Sequence, residues 1–119
     1  MNKSEGYWGE PTATIEWCEE NYEITNYIAE FWNTISNLLM ILLPLYGLYW
    51  SLKLRSKYKL LKKQQKNLNI NPYVIENLNI PLAIVSCHVG LIMVGVGSWL
   101  FHMTLLYPMQ LLDEVHKIV

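Results

Sequence analysis

The sequence predicts an all-α membrane protein: two transmembrane helices and the opening of a third, cut from a larger bundle. Three observations lead there. Charged residues make up 16% of the 119 positions and hydrophobic ones 52%, whereas soluble domains carry about 25% charge. The charges are also segregated by sign. Residues 1–31 hold seven acidic groups and one basic, a balance of −6, while residues 51–79 hold seven basic groups and one acidic, a balance of +6. Finally, Phe31–Leu52 and Asn77–Leu112 contain no Asp, Glu, Lys or Arg. Such a distribution excludes a disordered chain and a simple nucleic-acid binder, and the length allows at most one domain.

The acidic segment 1–30 comes first, with Glu16-Trp17-Cys18-Glu19-Glu20-Asn21-Tyr22-Glu23 followed by Glu30. Carboxylates and an amide this closely spaced suit either a hard cation with oxygen ligands, calcium above all, or a solvated acidic face. The Asp-x-Asp-x-Asp-Gly ladder of an EF-hand is absent.

Phe31–Leu52 is predicted as the first transmembrane helix. Its 22 residues match the roughly 20 needed to cross a bilayer core, and it is apolar all round. Pro44 and Gly47 are tolerated in membrane helices. Trp32 at one end and Tyr49-Trp50 at the other are placed as an aromatic belt. A signal peptide would have a basic rather than an acidic approach.

Residues 53–79 read as a basic loop rich in Lys, Asn and Gln, a solvated linker. Short basic loops remain cytosolic, which puts the acidic N-terminus on the lumenal side. The second apolar stretch is too long for one crossing, and Tyr107-Pro108 supplies a break. It divides into a second transmembrane helix over 80–103, a turn over 104–108, and a third helix opening at Met109, of which 109–119 is too short to cross anything. Gly90, Gly95, Gly97 and Ser98 form a small-residue band of the kind that lets membrane helices approach closely.

Ser98 and His102, four apart, share one helix face, and Asp113 opens the next helix. Ionisable groups in a membrane segment face a polar cavity or a partner. The set suits serine catalysis, with His as base and Asp as orienter. It also suits a metal site with His as ligand, Asp as proton carrier and Ser as hydroxyl donor, while Ser-x-x-x-His by composition alone is more often a histidine that packs helices. The spacing disfavours the first, because a straight helix lacks the strained turn that exposes a nucleophilic serine. His88, 14 residues before His102, is about 21 Å away along a helix, so it reads as structural. His116 receives no role. Cys18 and Cys87 are expected not to pair. Cys18 is left for a partner elsewhere.

The segments Glu5-Gly-Tyr-Trp-Gly9, Trp17-Cys-Glu-Glu-Asn-Tyr22, Tyr27-Ile-Ala-Glu-Phe-Trp-Asn-Thr34, Gly97-Ser-Trp-Leu-Phe-His-Met-Thr-Leu105 and Met109-Gln-Leu-Leu-Asp-Glu114 resemble the N-terminal part of the alkaline ceramidases, in particular the alkaline ceramidase 3 (alkaline phytoceramidase) branch. The Ser-x-x-x-His element followed by Asp is shared with the wider CREST superfamily, which includes the adiponectin receptors. The resemblance implies a seven-helix membrane hydrolase of the endoplasmic reticulum or Golgi that cleaves the ceramide amide bond to a sphingoid base and a fatty acid. It implies His102 as a zinc ligand, Ser98 holding the carbonyl oxygen and Asp113 handling the proton of water. It further implies a regulatory or structural calcium ion on Glu16, Trp17 (through its carbonyl), Glu19, Asn21 and Glu30. Ceramide and the membrane are the implied partners, with the remaining helices in another chain as a further one. Nucleic acid is not expected.

Two departures matter. Glu16 stands where the family usually has Asp. The family's C-terminal His-x-x-x-His pair is missing, so this polypeptide alone is predicted to be inactive. The alternatives are a non-catalytic membrane fragment of the family and an adiponectin-receptor-like signalling protein.

Overall fold

A computed structural model of the chain describes residues 6–15, 17–68, 71–77 and 79–118. It contains four helices, α1 (Phe31–Leu68), α2 (Pro72–Glu76), α3 (Leu82–Thr104) and α4 (Tyr107–Ile118). Two isolated bridges, Gly6 with Gly9 and Thr25 with Ile28, are the only β pairings among the described residues. The chain divides into two compact units, residues 1–42 with 91–119, and residues 43–90.

α1 runs well past the expected end at Leu52 and absorbs most of the basic segment read as a loop. Between Gly47 and Pro72 there is neither glycine nor proline, and Lys, Leu, Arg and Gln are strong helix formers. Charge ended the apolar span without ending the helix. α3 matches the predicted second helix closely. α4 begins at Tyr107, two residues before the predicted Met109. Pro108 stands in its first turn, where a missing N–H costs nothing.

Burial on α1 is inverted relative to a soluble helix. Glu30, Thr34, Asn37 and Ser51 are buried while Leu38, Leu39, Leu42, Leu43 and Leu45 are exposed. Only 17% of the apolar window of either α1 or α3 is buried. A soluble core helix would hide such leucines. Both helices are long and apolar enough to cross a membrane, and this inside-out pattern is the one that lipid demands. Glycines set the close approaches. At Gly95 a Cβ would lie 2.9 Å from Ile41 Cγ1 and 3.3 Å from the Met40 carbonyl. In the second unit a Cβ at Gly47 would run into the His88 ring. His88 Nδ1 bonds the Ile84 carbonyl at 2.6 Å, so this histidine packs α3 against α1, in keeping with a structural role.

The N-terminal segment closes the end of the first unit, and the Phe101, His102 and Met103 carbonyls of the last turn of α3 each find a donor. Glu30 N–H donates to His102 O and Ala29 N–H to Met103 O, both at 3.0 Å, and Leu105 N–H donates to Phe101 O at 2.7 Å. The Thr104 hydroxyl donates to Leu100 O at 2.9 Å. These are the groups that a helix end otherwise leaves unpaired. Leu105, fully buried, takes a left-handed φ of 49°, and its carbonyl accepts from Thr12 and Ala13. Tyr22, Ala29, Phe101 and Leu105 form the apolar core of this unit.

Tyr22 is buried with its hydroxyl unpartnered, and burial raises its pKa above the usual value of about 10. The neutral phenol is therefore favoured in the folded state. Its contribution is fully present below pH about 10 and is lost as pH rises through the raised value. Thermal unfolding in detergent is expected to show stability falling above pH about 10. Tyr22→Phe should flatten that fall, and an unchanged fall would contradict the assignment.

A candidate polar site where α1 and α3 meet

The site is built on the start of α1 and the end of α3. Glu30, fully buried, immediately precedes α1, and its Oε2 bonds His102 Nδ1 in the last turn of α3. Asn33 Nδ2 donates to the same Oε2 at 3.1 Å. That oxygen therefore accepts from Asn33 while it holds the His102 ring through Nδ1, which leaves Nε2 outside this bond. The backbone bond from Glu30 N–H to His102 O doubles the link and fixes the ring relative to α1.

Ser98 lies one helical turn before His102. Its Oγ accepts from Asn37 Nδ2 at 3.1 Å, and Asn37 is itself buried. The Ser98 hydroxyl proton is thus available to donate elsewhere. Among the described contacts no hydrogen bond joins Ser98 to His102, since each is engaged by a residue of α1. That arrangement does not provide the serine–imidazole bond of a nucleophilic pair. Asp113 is buried on α4. Gly97 lets α4 come close to α3, for a Cβ there would lie 3.4 Å from Leu112 O and 3.7 Å from Asp113 Cα. An apolar groove of about 260 Å³, lined by Met93, Val96, Leu100 and Leu112 among others, opens on the opposite side of α3 from Ser98 and His102.

The acidic residues are distributed as follows. Both Glu19 oxygens cap α1, accepting from Trp32 N–H at 2.6 Å and Asn33 N–H at 3.0 Å, where a carboxylate also meets the positive end of the helix dipole. The Trp17 carbonyl accepts from Glu19 N–H at 2.7 Å, and the Trp17 ring lies edge-on to His102, centroids 6.1 Å apart. Asn21 Oδ1 and Glu30 Oε1 are buried acceptors without a hydrogen-bond donor. Glu16 lies outside the described residues. Among the described residues no group of three or more His, Cys, Asp or Glu side chains gathers around one point. Cys18 and Cys87 are both free and exposed.

The family model described as Ceramidase matches residues 9–118. The chain belongs to the ceramidase family. Mouse alkaline ceramidase 3 is 42% identical over 113 residues, 95% of this chain and 33% of its own length. Alkaline ceramidase YPC1 of Saccharomyces cerevisiae is 43% identical over 113 residues, 95% of this chain and 28% of its own length. The alkaline ceramidase of Arabidopsis thaliana is 37% identical over 91% of this chain and 33% of its own length. The chain therefore spans about a third of the length of these relatives.

Within this ceramidase-family chain, Glu30 of the acidic segment is bonded to His102 of the Ser98–His102 pair. Spacing alone could not reveal a bond between residues 72 apart. Nor does spacing single out Asn33 and Asn37. The available signal was their place on the face of α1 that carries Glu30 and Thr34. Removing one partner of a buried hydrogen bond leaves the other unsatisfied, a loss of about 1–3 kcal/mol. Glu30→Ala should therefore unfold at much lower temperature than the parent in detergent, while Glu30→Gln retains most of that stability. Equal melting of Glu30→Ala and parent would contradict the buried pair.

Proposed function

We propose that this chain supplies part of the active site of a zinc-dependent amidohydrolase that splits ceramide into a sphingoid base and a fatty acid. The observation that supports this most is the setting of His102, buried and held by Glu30 through Nδ1, which keeps Nε2 for a metal. Histidines that bind metals commonly donate their other ring N–H to a carboxylate in this way. Bound zinc would polarise the amide carbonyl and lower the pKa of water to about 7. His102 would hold the metal, and Ser98, accepting from Asn37, would donate a hydrogen bond to the carbonyl oxygen. Asp113 takes the proton from water and returns it to the departing nitrogen.

A zinc site of this kind needs three protein ligands besides water. His102 is the one histidine that the described side chains bring to this place, so the other ligands are assigned to residues outside these 119. The seven-helix bundle belongs to the same reading. So do the lumenal N-terminus and the endoplasmic reticulum or Golgi membrane. For calcium, the donor chemistry fits. Asn21 Oδ1 and Glu30 Oε1 are buried acceptors lacking donors, with the Trp17 carbonyl, Glu19 and Glu16 as the further oxygens of the set. Because Glu30 also holds His102, a cation there would stiffen the site and act as its structural or regulatory ion.

A chimera in which this chain replaces the matched segment of mouse alkaline ceramidase 3 tests the reading. Zinc-dependent ceramide hydrolysis is expected. It should be abolished by His102→Ala and lowered about 10²- to 10³-fold by Ser98→Ala, the usual loss for one carbonyl-oxygen donor. A folded chimera without ceramide turnover, or one indifferent to His102→Ala, would contradict the reading. The 119-residue chain alone, reconstituted with zinc, is expected to release no fatty acid from ceramide. Turnover lost on His102→Ala would overturn that expectation.

A further inference from the structure

The reading above gives no role to the basic side chains that follow the apolar part of α1. α1 passes Leu52 without a break, so Lys53, Arg55, Lys57 and Lys59 hold defined positions around a helix. Arg55 is half-buried, and its Nη1 donates to the Ile80 carbonyl at 3.4 Å, which ties it to the approach of α3. Lys53, Lys57 and Lys59 are exposed. At about 100° per residue, Lys57 lies about 40° and Lys59 about 240° round from Lys53. Charges spread around a helix in this way do not fit one groove of a protein partner. A layer of headgroups surrounding the helix meets all of them.

The depth agrees. Tyr46, Tyr49 and Trp50 are exposed just before the collar, as aromatic residues at headgroup level are. The Lys53 ammonium sits 4.8 Å above the Trp50 ring and 5.6 Å from that of Tyr49. Lys59 is about 10 Å beyond Leu52 along the axis, about one screening length at physiological salt. Lys62 and Lys63 are about 15 Å beyond it, and Lys62 is turned to the Tyr58 hydroxyl at 3.0 Å. No acidic residue occurs from Phe31 until Glu76, so nothing nearby in the sequence neutralises the collar.

We propose that Lys53, Lys57 and Lys59 form a binding collar for anionic phospholipid headgroups around the emerging end of α1. The proposal rests on α1 crossing the membrane and is independent of the ceramide reading. The test uses the full chain in phosphatidylcholine vesicles containing spin-labelled phosphatidylserine or spin-labelled phosphatidylcholine. Vesicle flotation first checks insertion, and a chain that does not float with the lipid overturns the proposal together with the membrane-spanning reading. In the inserted chain, the motionally restricted signal is expected to favour phosphatidylserine about fivefold, the effect of one lysine near an anionic surface, and to lose that preference as salt rises. Replacing all three collar lysines with glutamine (Lys53→Gln, Lys57→Gln, Lys59→Gln) should bring the ratio to about one. Replacing them with arginine should retain it, as should Lys62→Gln with Lys63→Gln. Parity in the parent, a preference that survives the triple glutamine change, or one lost only with Lys62 and Lys63 would overturn the collar. Specific capture by an acidic protein with no lipid preference would also overturn it.

Discussion

A carboxylate and an imidazole, both inside an apolar protein, constrain the rest of this structure. Glu30 is fully buried, and neither a carboxylate nor a ring N–H is tolerated at such depth without a hydrogen-bond partner. The bond to His102 satisfies both, and it does so only if the start of α1 and the end of α3 lie side by side. The backbone follows the same rule, since Ala29 and Glu30 donate to the Met103 and His102 carbonyls near the end of α3. Glu19 holds the start of α1 from the other side. The place with the most buried polar chemistry is therefore also the place where the N-terminal segment is pinned.

Membrane placement and chemistry are linked by the same inversion. The polar stripe of α1, Glu30, Thr34 and Asn37, is buried, and its leucines face outward. In water such a helix would be turned the other way round. In lipid the stripe can be satisfied only by neighbouring helices, and Asn37 meets Ser98 as Glu30 meets His102. Interhelical hydrogen bonds of this sort are worth about 0.6–2 kcal/mol each in membranes. Their larger consequence here is orientation, since each holds a side chain of α3 against α1: Ser98 in one case, His102 in the other.

Much of this was legible in the sequence for physical reasons. Uncharged length located both apolar helices, because only a bilayer or a large core accepts so long a run without charge. Gly97 marked a close approach, and it is where the α4 backbone at Leu112 and Asp113 comes in. The end of α1 was not legible from charge, since lysine ends an apolar span but favours a helix. The Glu30–His102 bond was hidden for a different reason. It joins the two ends of the chain, and a cluster of carboxylates looks the same whether it faces water or caps a buried ring. Glu19 shows the ambiguity, for its acidic spacing suits a cation and its observed contacts are those of a helix cap.

The pair is tested most directly by nitrogen NMR of the chain in lipid, with the His102 ring labelled. The Nδ1 resonance is expected to be that of a protonated nitrogen and to move on Glu30→Gln, with Nε2 unprotonated. An Nδ1 without its proton, or one indifferent to Glu30→Gln, would contradict the structure at the point on which the rest depends.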